Sequence, residues 1–245
     1  MSNTKPSNGE SVEFAFDEVP LHKRKSLLSL IVVLAGYPIA LSNFVIGGTV
    51  GIGLKFTTAI LALIVGNLVL ISIVILTGIA AYKTGLSTAL LSKRAFGKSG
   101  SHIFSVLLAL SAITWVALNA DIFSRLIMET FDWWPLPVAL TAIVVIILWL
   151  QSAIRGYKGL EIISGFGVPA ALILSVYGVY RVGLSTNGFV GITNYVPTEP
   201  IAFSTATSAI VGGWIFGATI TPDVCRYAKK KVHVFIAGIL SFVLG

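Results

Sequence analysis

Charge is scarce in this 245-residue chain. Asp, Glu, Lys and Arg make up 11% of it, against 56% hydrophobic residues, and mean hydropathy is +0.92. A soluble domain carries about 25% charged residues, so a soluble core is excluded and the length counts membrane spans instead of globular domains. Cysteine is nearly absent. The single thiol, Cys225, cannot form an intrachain disulfide, and His22, His102 and His233 lie far apart, so no metal-binding Cys/His cluster exists. The histidines read as interfacial residues near span ends. No phosphate-binding glycine motif, zinc spacing or nucleophile–base pair points to an enzyme. Residues 1–25 lack the basic and apolar regions of a cleavable signal peptide and read as a mostly disordered cytoplasmic tail.

Long uncharged runs are abundant. They cover 26–54, 56–82, 99–120, 133–154, 162–180 and 200–222, each of a length suited to about 30 Å of hydrocarbon. A seventh run, 232–245, reaches roughly 21 Å at 1.5 Å per residue, which is short of a crossing. Fourteen of the seventeen Lys and Arg fall on one side if the N-terminus is inside; only Lys55, Arg125 and Arg181 fall outside. The positive-inside rule therefore places the N-terminus in the cytoplasm of a multi-pass cell-membrane protein. It also accounts for the +7 net charge without nucleic acid; the partner these bases imply is the lipid bilayer.

Two runs carry residues that a plain lipid-facing helix does not need. Residues 26–54 hold Gly36, Pro38, Ser42, Asn43, Gly47, Gly48, Gly51 and Gly53; residues 200–222 hold Gly212-Gly213-Trp214 and Gly217. Glycine weakens a helix by about 1 kcal/mol relative to alanine, and proline removes a backbone donor. Two interrupted spans in corresponding places point to a transporter's binding site. Spans 1 and 6 are an odd number of spans apart and so run in opposite directions, as a five-plus-five inverted repeat of the LeuT-like type requires. The expectation is an all-α integral membrane transporter fold cut off after about 6.5 transmembrane helices. It comprises a tail (1–25), a first five-helix repeat (26–181), an extracellular connection (182–199) and the start of a second repeat (200–245). Residues 83–98 suit either a short amphipathic helix on the inner surface or an extension of span 2. The outer connection holds either a short helix or a loop.

Several polar residues lie within the apolar runs. Trp115 and Asn119 in span 3 are i,i+4 and share a helix face. They suit either stacking and edge contact with a planar ligand, or packing and an interhelical hydrogen bond. Asp121 has Arg125 at i+4, which predicts a local ion pair. Gly212-Gly213 permit either unwinding before Trp214 or close helix packing. In span 1 the stretch from Tyr37 offers backbone oxygens, with Tyr37, Ala40 and Leu41 as candidate cation-binding positions, since hard cations such as Na+ favour oxygen.

These residues resemble the nucleobase:cation symporter family, in particular its cytosine-permease-like branch. The carriers are Gly47-Gly48-Thr49-Val50-Gly51-Ile52-Gly53-Leu54, Lys83-Thr84-Gly85-Leu86-Ser87-Thr88, Trp115, and Gly212-Gly213-Trp214-Ile215-Phe216-Gly217-Ala218-Thr219 followed by Thr221-Pro222-Asp223 and Arg226-Tyr227. The resemblance implies import of a flat heterocycle, cytosine or a purine, together with Na+ or H+ as coupling ion and with no other cofactor. It implies that Trp115 and Trp214 flank the ring, that Asn119 and Asn43 bond its edge, and that Gly213 supplies backbone contact. Other solutes carried on the same fold (amino acids, vitamins, hydantoins, allantoin), or a membrane fragment that does not transport, are the alternatives.

Overall fold

The computed structural model describes residues 14, 17–186 and 188–244. Most of the expected tail, including Lys5, lies outside these residues, as do Asn187 and Gly245. The described residues form helices joined by short connections. The one pairing of β type among them is an isolated bridge between Lys25 and Ala228.

Span 1 is broken. Helix α1 (Leu27–Gly36) and helix α2 (Leu41–Gly53) meet at 65°. The break occupies residues 37–40, where Pro38 lacks an N–H and Ala40 is extended. It does not pass through the glycine run. Gly47, Gly48 and Gly51 lie inside α2, and a Cβ added at any of them meets nothing within 4 Å.

Helix α3 (Phe56–Thr84) is span 2. It ends at Gly85, whose φ of 70° is the left-handed conformation of a helix C-cap and whose N–H donates to Ala81 O at 2.7 Å. That stop decides between the two readings of 83–98. A new helix, α4 (Thr88–Thr130), begins beyond it, N-capped by Ser87. Gly97, at φ 70° and ψ −173°, divides α4 into a short first part and the long helix of span 3. The short amphipathic helix is therefore separate from span 2.

Helix α5 (Val138–Ala153) has 16 residues, about 24 Å at 1.5 Å per residue. It is shorter than the 133–154 run suggests, because Pro135 and Pro137 keep the approach extended. Helix α6 (Gly156–Ser185) carries Pro169 inside it and extends past residue 181, so the outer connection starts later than its composition suggests. That connection does contain a short helix, α7 (Val190–Thr193).

Span 6 is helix α8 (Phe203–Ile220), followed by the single turn α9 (Pro222–Cys225). It runs unbroken through Gly212, Gly213 and Trp214, contrary to the unwinding its glycines allow. Gly213 is packed against α2, while a Cβ at Gly212 would meet nothing within 4 Å. Helix α10 (Lys231–Leu244) follows. By length and composition α3, α4, α6 and α8–α9 are long and apolar enough to cross a membrane, and the bent α1–α2 pair adds a fifth.

In a first group α3 packs against α8 and α10, α1 against α10, and α2 against α8; in a second α4 packs against α5 and α5 against α6. The two groups are joined where α1 packs on α6 and where α2 and α8 meet α4. The first group is held by a stripe of small residues along α3. A Cβ at Gly66 would stand 2.6 Å from Ile210, and one at Gly78 would stand 2.8 Å from Val234 and 2.9 Å from Cys225. Such contacts let helix backbones approach closely where lipid offers no hydrophobic drive.

The last residues of the expected tail, 17–25, pack against the helices. Val19 is 2% exposed, and its N–H donates to Gly85 O at 3.0 Å. Arg24 Nη1 donates to Tyr82 O at 3.1 Å and Ala228 O at 3.2 Å, while the Lys25 N–H donates to Tyr227 O at 2.7 Å. Helix ends leave carbonyls without partners, and Arg24 satisfies that of Tyr82 in the last turn of α3; the other acceptors lie in the connections that follow α3 and α9. Lys25 also pairs with Glu161 on α6 at 3.3 Å.

Candidate functional site

The break in span 1 is tied together by the side chain that follows it. Asn43 Nδ2 donates to Pro38 O at 2.7 Å, and the Asn43 N–H donates to Ala40 O at 2.9 Å. Pro38 O also accepts from the Ala40 N–H at 2.9 Å. The α1 C-terminus and the α2 N-terminus thus face one another across four residues. The first carries the negative end of a helix dipole and the second the positive end.

Of the proposed cation-binding positions, Tyr37 and Ala40 lie in the break and Leu41 is the first residue of α2. Ala40 O is already engaged by Asn43.

Asn119 approaches from span 3. Its carboxamide is 4% exposed; Oδ1 accepts from the Ser42 N–H at 3.2 Å, and Nδ2 donates to Trp115 O at 2.9 Å. Ser42 is the second residue of α2, one of the helix-start positions whose N–H has no partner within the helix. Asn119 therefore caps the second half of span 1 from outside. Of its two readings, the structure displays the interhelical hydrogen bond. Buried Ser42 Oγ has no partner among the described residues.

Trp214, on α8, is 6% exposed. Its ring lies over Gly217, where a Cβ would overlap it. It contacts Tyr37 of the break at 5.9 Å between centroids with the planes 31° apart, and Phe242 of α10 at 5.4 Å edge-on. Its buried indole N–H has no partner among the described residues. Gly213 sits directly against α2: an added Cβ would collide with Ile46 and would stand 3.6 Å from Asn43 Oδ1.

A cavity of about 100 Å³ opens between these elements, lined by Pro38, Asn43, Asn67, Leu70, Trp214 and Phe242 among others. The structure thus brings together Asn43, Gly213 and Trp214. Trp115, half-buried on span 3, is not among the residues that line this cavity, and the aromatic contacts of Trp214 are with Tyr37 and Phe242. Asp121 and Arg125 make the expected ion pair, at 2.8 and 3.1 Å, on an exposed face of span 3. Asn67 on α3 is a lining residue that spacing arguments passed over. Its only signal is an amide alone within an apolar run.

A family model described as permease for cytosine/purines, uracil, thiamine and allantoin matches residues 18–245. The chain is 29% identical over 232 residues to cytosine permease of Escherichia coli K12, an alignment covering 95% of this chain and 55% of that protein. Cytosine permease of Escherichia coli O157:H7 matches at the same identity and coverage. Among solved structures, Mhp1 matches with a TM-score of 0.78 and 20% identity, covering 95% of this chain and 54% of its own. Mhp1 is a nucleobase-cation-symport-1 family transporter, solved in a closed conformation with bromovinylhydantoin bound. The chain spans about half the length of the curated relatives it matches.

Proposed function

Because this chain belongs to the family of permeases for cytosine/purines, uracil, thiamine and allantoin, we propose that it is part of a secondary transporter importing a nucleobase-like heterocycle, such as cytosine or a purine, with a cation. The observation that carries this reading is the apposition of the broken span 1 to Trp214 beside a small cavity of about 100 Å³. Asn43 and Trp214 form its walls. Gly213 admits α2 to α8, and Asn119 positions the start of α2. Stacking of a base on an aromatic side chain is worth about 1–3 kcal/mol in nucleic-acid complexes, enough to hold a small ring once polar atoms match its edge.

The cation, Na+ or H+, is assigned to the break. The α1 C-terminus directs its carbonyl dipoles there, and backbone oxygens of Tyr37, Ala40 and Leu41 are the candidate ligands. In this reading the N-terminus is cytoplasmic in the cell membrane, and spans 1–5 form the first half of a five-plus-five inverted repeat that α8 begins again. Rocking of the group holding spans 1, 2 and 6 against the group holding spans 3–5 would give alternating access. Cation binding drives this only in so far as it favours one of the two states.

The test is uptake of labelled cytosine and hypoxanthine by cells making the complete gene product, with and without an inward sodium gradient. Saturable uptake that W214A lowers at least tenfold is the expected result. Uptake of neither base, or uptake indifferent to W214A, defeats the reading. W115A in the same assay asks whether span 3 supplies a second aromatic wall. Amino acids and hydantoins in competition separate this reading from transporters of the same fold for other solutes.

A further inference from the structure

We propose that the cleft between spans 2, 3 and 6 and the short first part of α4 binds an anionic phospholipid, with an acyl chain in the cleft and the phosphate on Arg94. The inference goes beyond transport and needs only a chain seated in a membrane, as its family and its apolar helices establish.

The cleft owes its shape to Gly97. At φ 70° and ψ −173° the backbone takes a conformation that glycine adopts far more readily than other residues, and the short helix turns there into span 3. Phe96 folds back over the turn and meets Phe104 at 5.6 Å between ring centroids. Gly100 leaves room for this, since a Cβ there would stand 2.8 Å from Phe96 Cβ. Between this corner, α3 and the end of α8 opens a cleft of about 520 Å³, lined by Ala80, Leu91, Phe96, Phe104 and Pro222 among others.

Hydrogen bonding decides what kind of molecule fits. The hydroxyl residues lining the cleft are Thr77, Thr88, Ser92 and Thr219, and each already donates elsewhere. Thr77 Oγ1 donates to Ile73 O at 2.8 Å, Ser92 Oγ to Ala89 O at 2.8 Å, Thr219 Oγ1 to Ile215 O at 2.7 Å and Thr88 Oγ1 to Asp223 Oδ2 at 3.1 Å. A polar ring buried here would leave acceptors on its edge unpaired, which is costly. An acyl chain needs no partner. An apolar cavity of about 150 Å³ holds benzene, so this one accommodates a long stretch of acyl chain.

Charge selects the head. A lipid tail gains little by passing from one hydrocarbon environment to another, so selectivity falls to the polar end. Arg94 lines the cleft, and Lys93 and Lys98, both exposed, flank in sequence the run 94–96 that lines it. The nearby carboxylates are Asp223, held by Thr88, and Asp17 and Glu18, which border a second hollow together with Lys93 and Arg94. Glu18 pairs with Arg94 at 3.5 Å, with both side chains largely exposed. An exposed pair of that kind is weak, whereas arginine grips a phosphate through two parallel hydrogen bonds. A lipid phosphate therefore displaces Glu18. In the orientation proposed above, this site meets the cytoplasmic leaflet, where anionic headgroups concentrate.

The experiment is native mass spectrometry of the complete gene product and its R94Q and A80F variants. Each is equilibrated with equal amounts of phosphatidylglycerol and phosphatidylcholine bearing the same acyl chains, with and without excess inorganic phosphate. Each basic side chain near a membrane surface gives about a fivefold preference for anionic lipid. The unmodified protein should therefore retain phosphatidylglycerol at least fivefold over phosphatidylcholine, and R94Q should lower that ratio about fivefold. Ala80 is exposed to the cleft, so A80F fills it and should lower retention of both lipids. R94Q alters an exposed side chain and decides the matter if A80F does not fold. Equal retention of the two lipids by the unmodified protein, or a ratio that R94Q leaves unchanged, overturns the proposal. So does retention of no lipid, the result if another segment of the complete protein fills the cleft. Displacement of phosphatidylglycerol by inorganic phosphate would make this a site for the free anion and overturn it as well.

Discussion

The Asp223 carboxylate accepts two hydrogen bonds from Thr88, from the backbone N–H at 3.0 Å and from the hydroxyl at 3.1 Å. Thr88 is the first residue of α4 and Asp223 lies in the turn after span 6. Two short sequence patterns separated by 135 residues are thereby one physical junction at one end of the helices. A carboxylate at a helix N-terminus also meets the positive end of the dipole.

Removing that carboxylate should be felt in stability. Hydrogen bonds to a charged group are worth about 1.5–3 kcal/mol each. D223A is expected to lower the thermal midpoint in detergent more than D223N, and T88V, which keeps the backbone donor, should cost less than either. Coupling between D223A and T88V in a double-mutant cycle is expected at about 0.5–3 kcal/mol; additive effects would mean the junction carries no energy.

Helical glycines should divide by what they touch. G66A would push a methyl into Ile210, and overpacking of that kind typically costs about 1–3 kcal/mol. G165A on α6 meets nothing within 4 Å, so in this chain helix propensity should stabilise it by up to about 1 kcal/mol. Thermal unfolding of the two variants in detergent should give shifts of opposite sign.

Asn119 should act through span 1. With N119A the Ser42 N–H loses its external acceptor, costing about 1–3 kcal/mol if it stays buried, and Asn43 shifts with the start of α2. Both thermal stability and base affinity should fall. N119D retains an acceptor and should recover much of the stability. A variant with reduced affinity but full stability would show that Asn119 touches the ligand directly.

The packing of residues 17–25 over the helix ends can be followed with the one thiol. Cys225 is 1% exposed against Gly78, so maleimide labelling of the folded protein should be slow. R24A, which removes donors to two helix-end carbonyls, is expected to speed labelling several-fold. K25A should do so less, since its half-exposed pair with Glu161 belongs to a class worth about 0–1 kcal/mol. Equal rates in all three proteins would contradict a closing role for residues 17–25.

Sequence patterns carried unequal amounts of this structure. The break at Pro38 was legible because proline cannot donate to a helix ladder whatever surrounds it. Gly212 and Gly213 were ambiguous for the opposite reason. A glycine permits both unwinding and close approach, and only the position of Ile46 on the neighbouring helix decides for approach at Gly213, while Gly212 is simply helical with open space beside it. The folding of residues 17–25 was hidden because their partners, Tyr82 O, Gly85 O, Tyr227 O and Ala228 O, are backbone atoms remote in the chain and leave no trace in local composition. Trp115 and Asn119 share a helix face as their spacing requires, yet that spacing is silent about which neighbour the face meets. Asn67 was within reach of the rule that polar groups deep in the membrane have work to do.

Ile46 rests where a side chain at position 213 would otherwise be. A methyl at 213 would overlap the tip of that isoleucine, which would have to swing away, toward the cavity that Ile46 itself helps line beside Asn43 and Trp214. The hydrogen at 213 thus spares the cavity an intruding isoleucine tip.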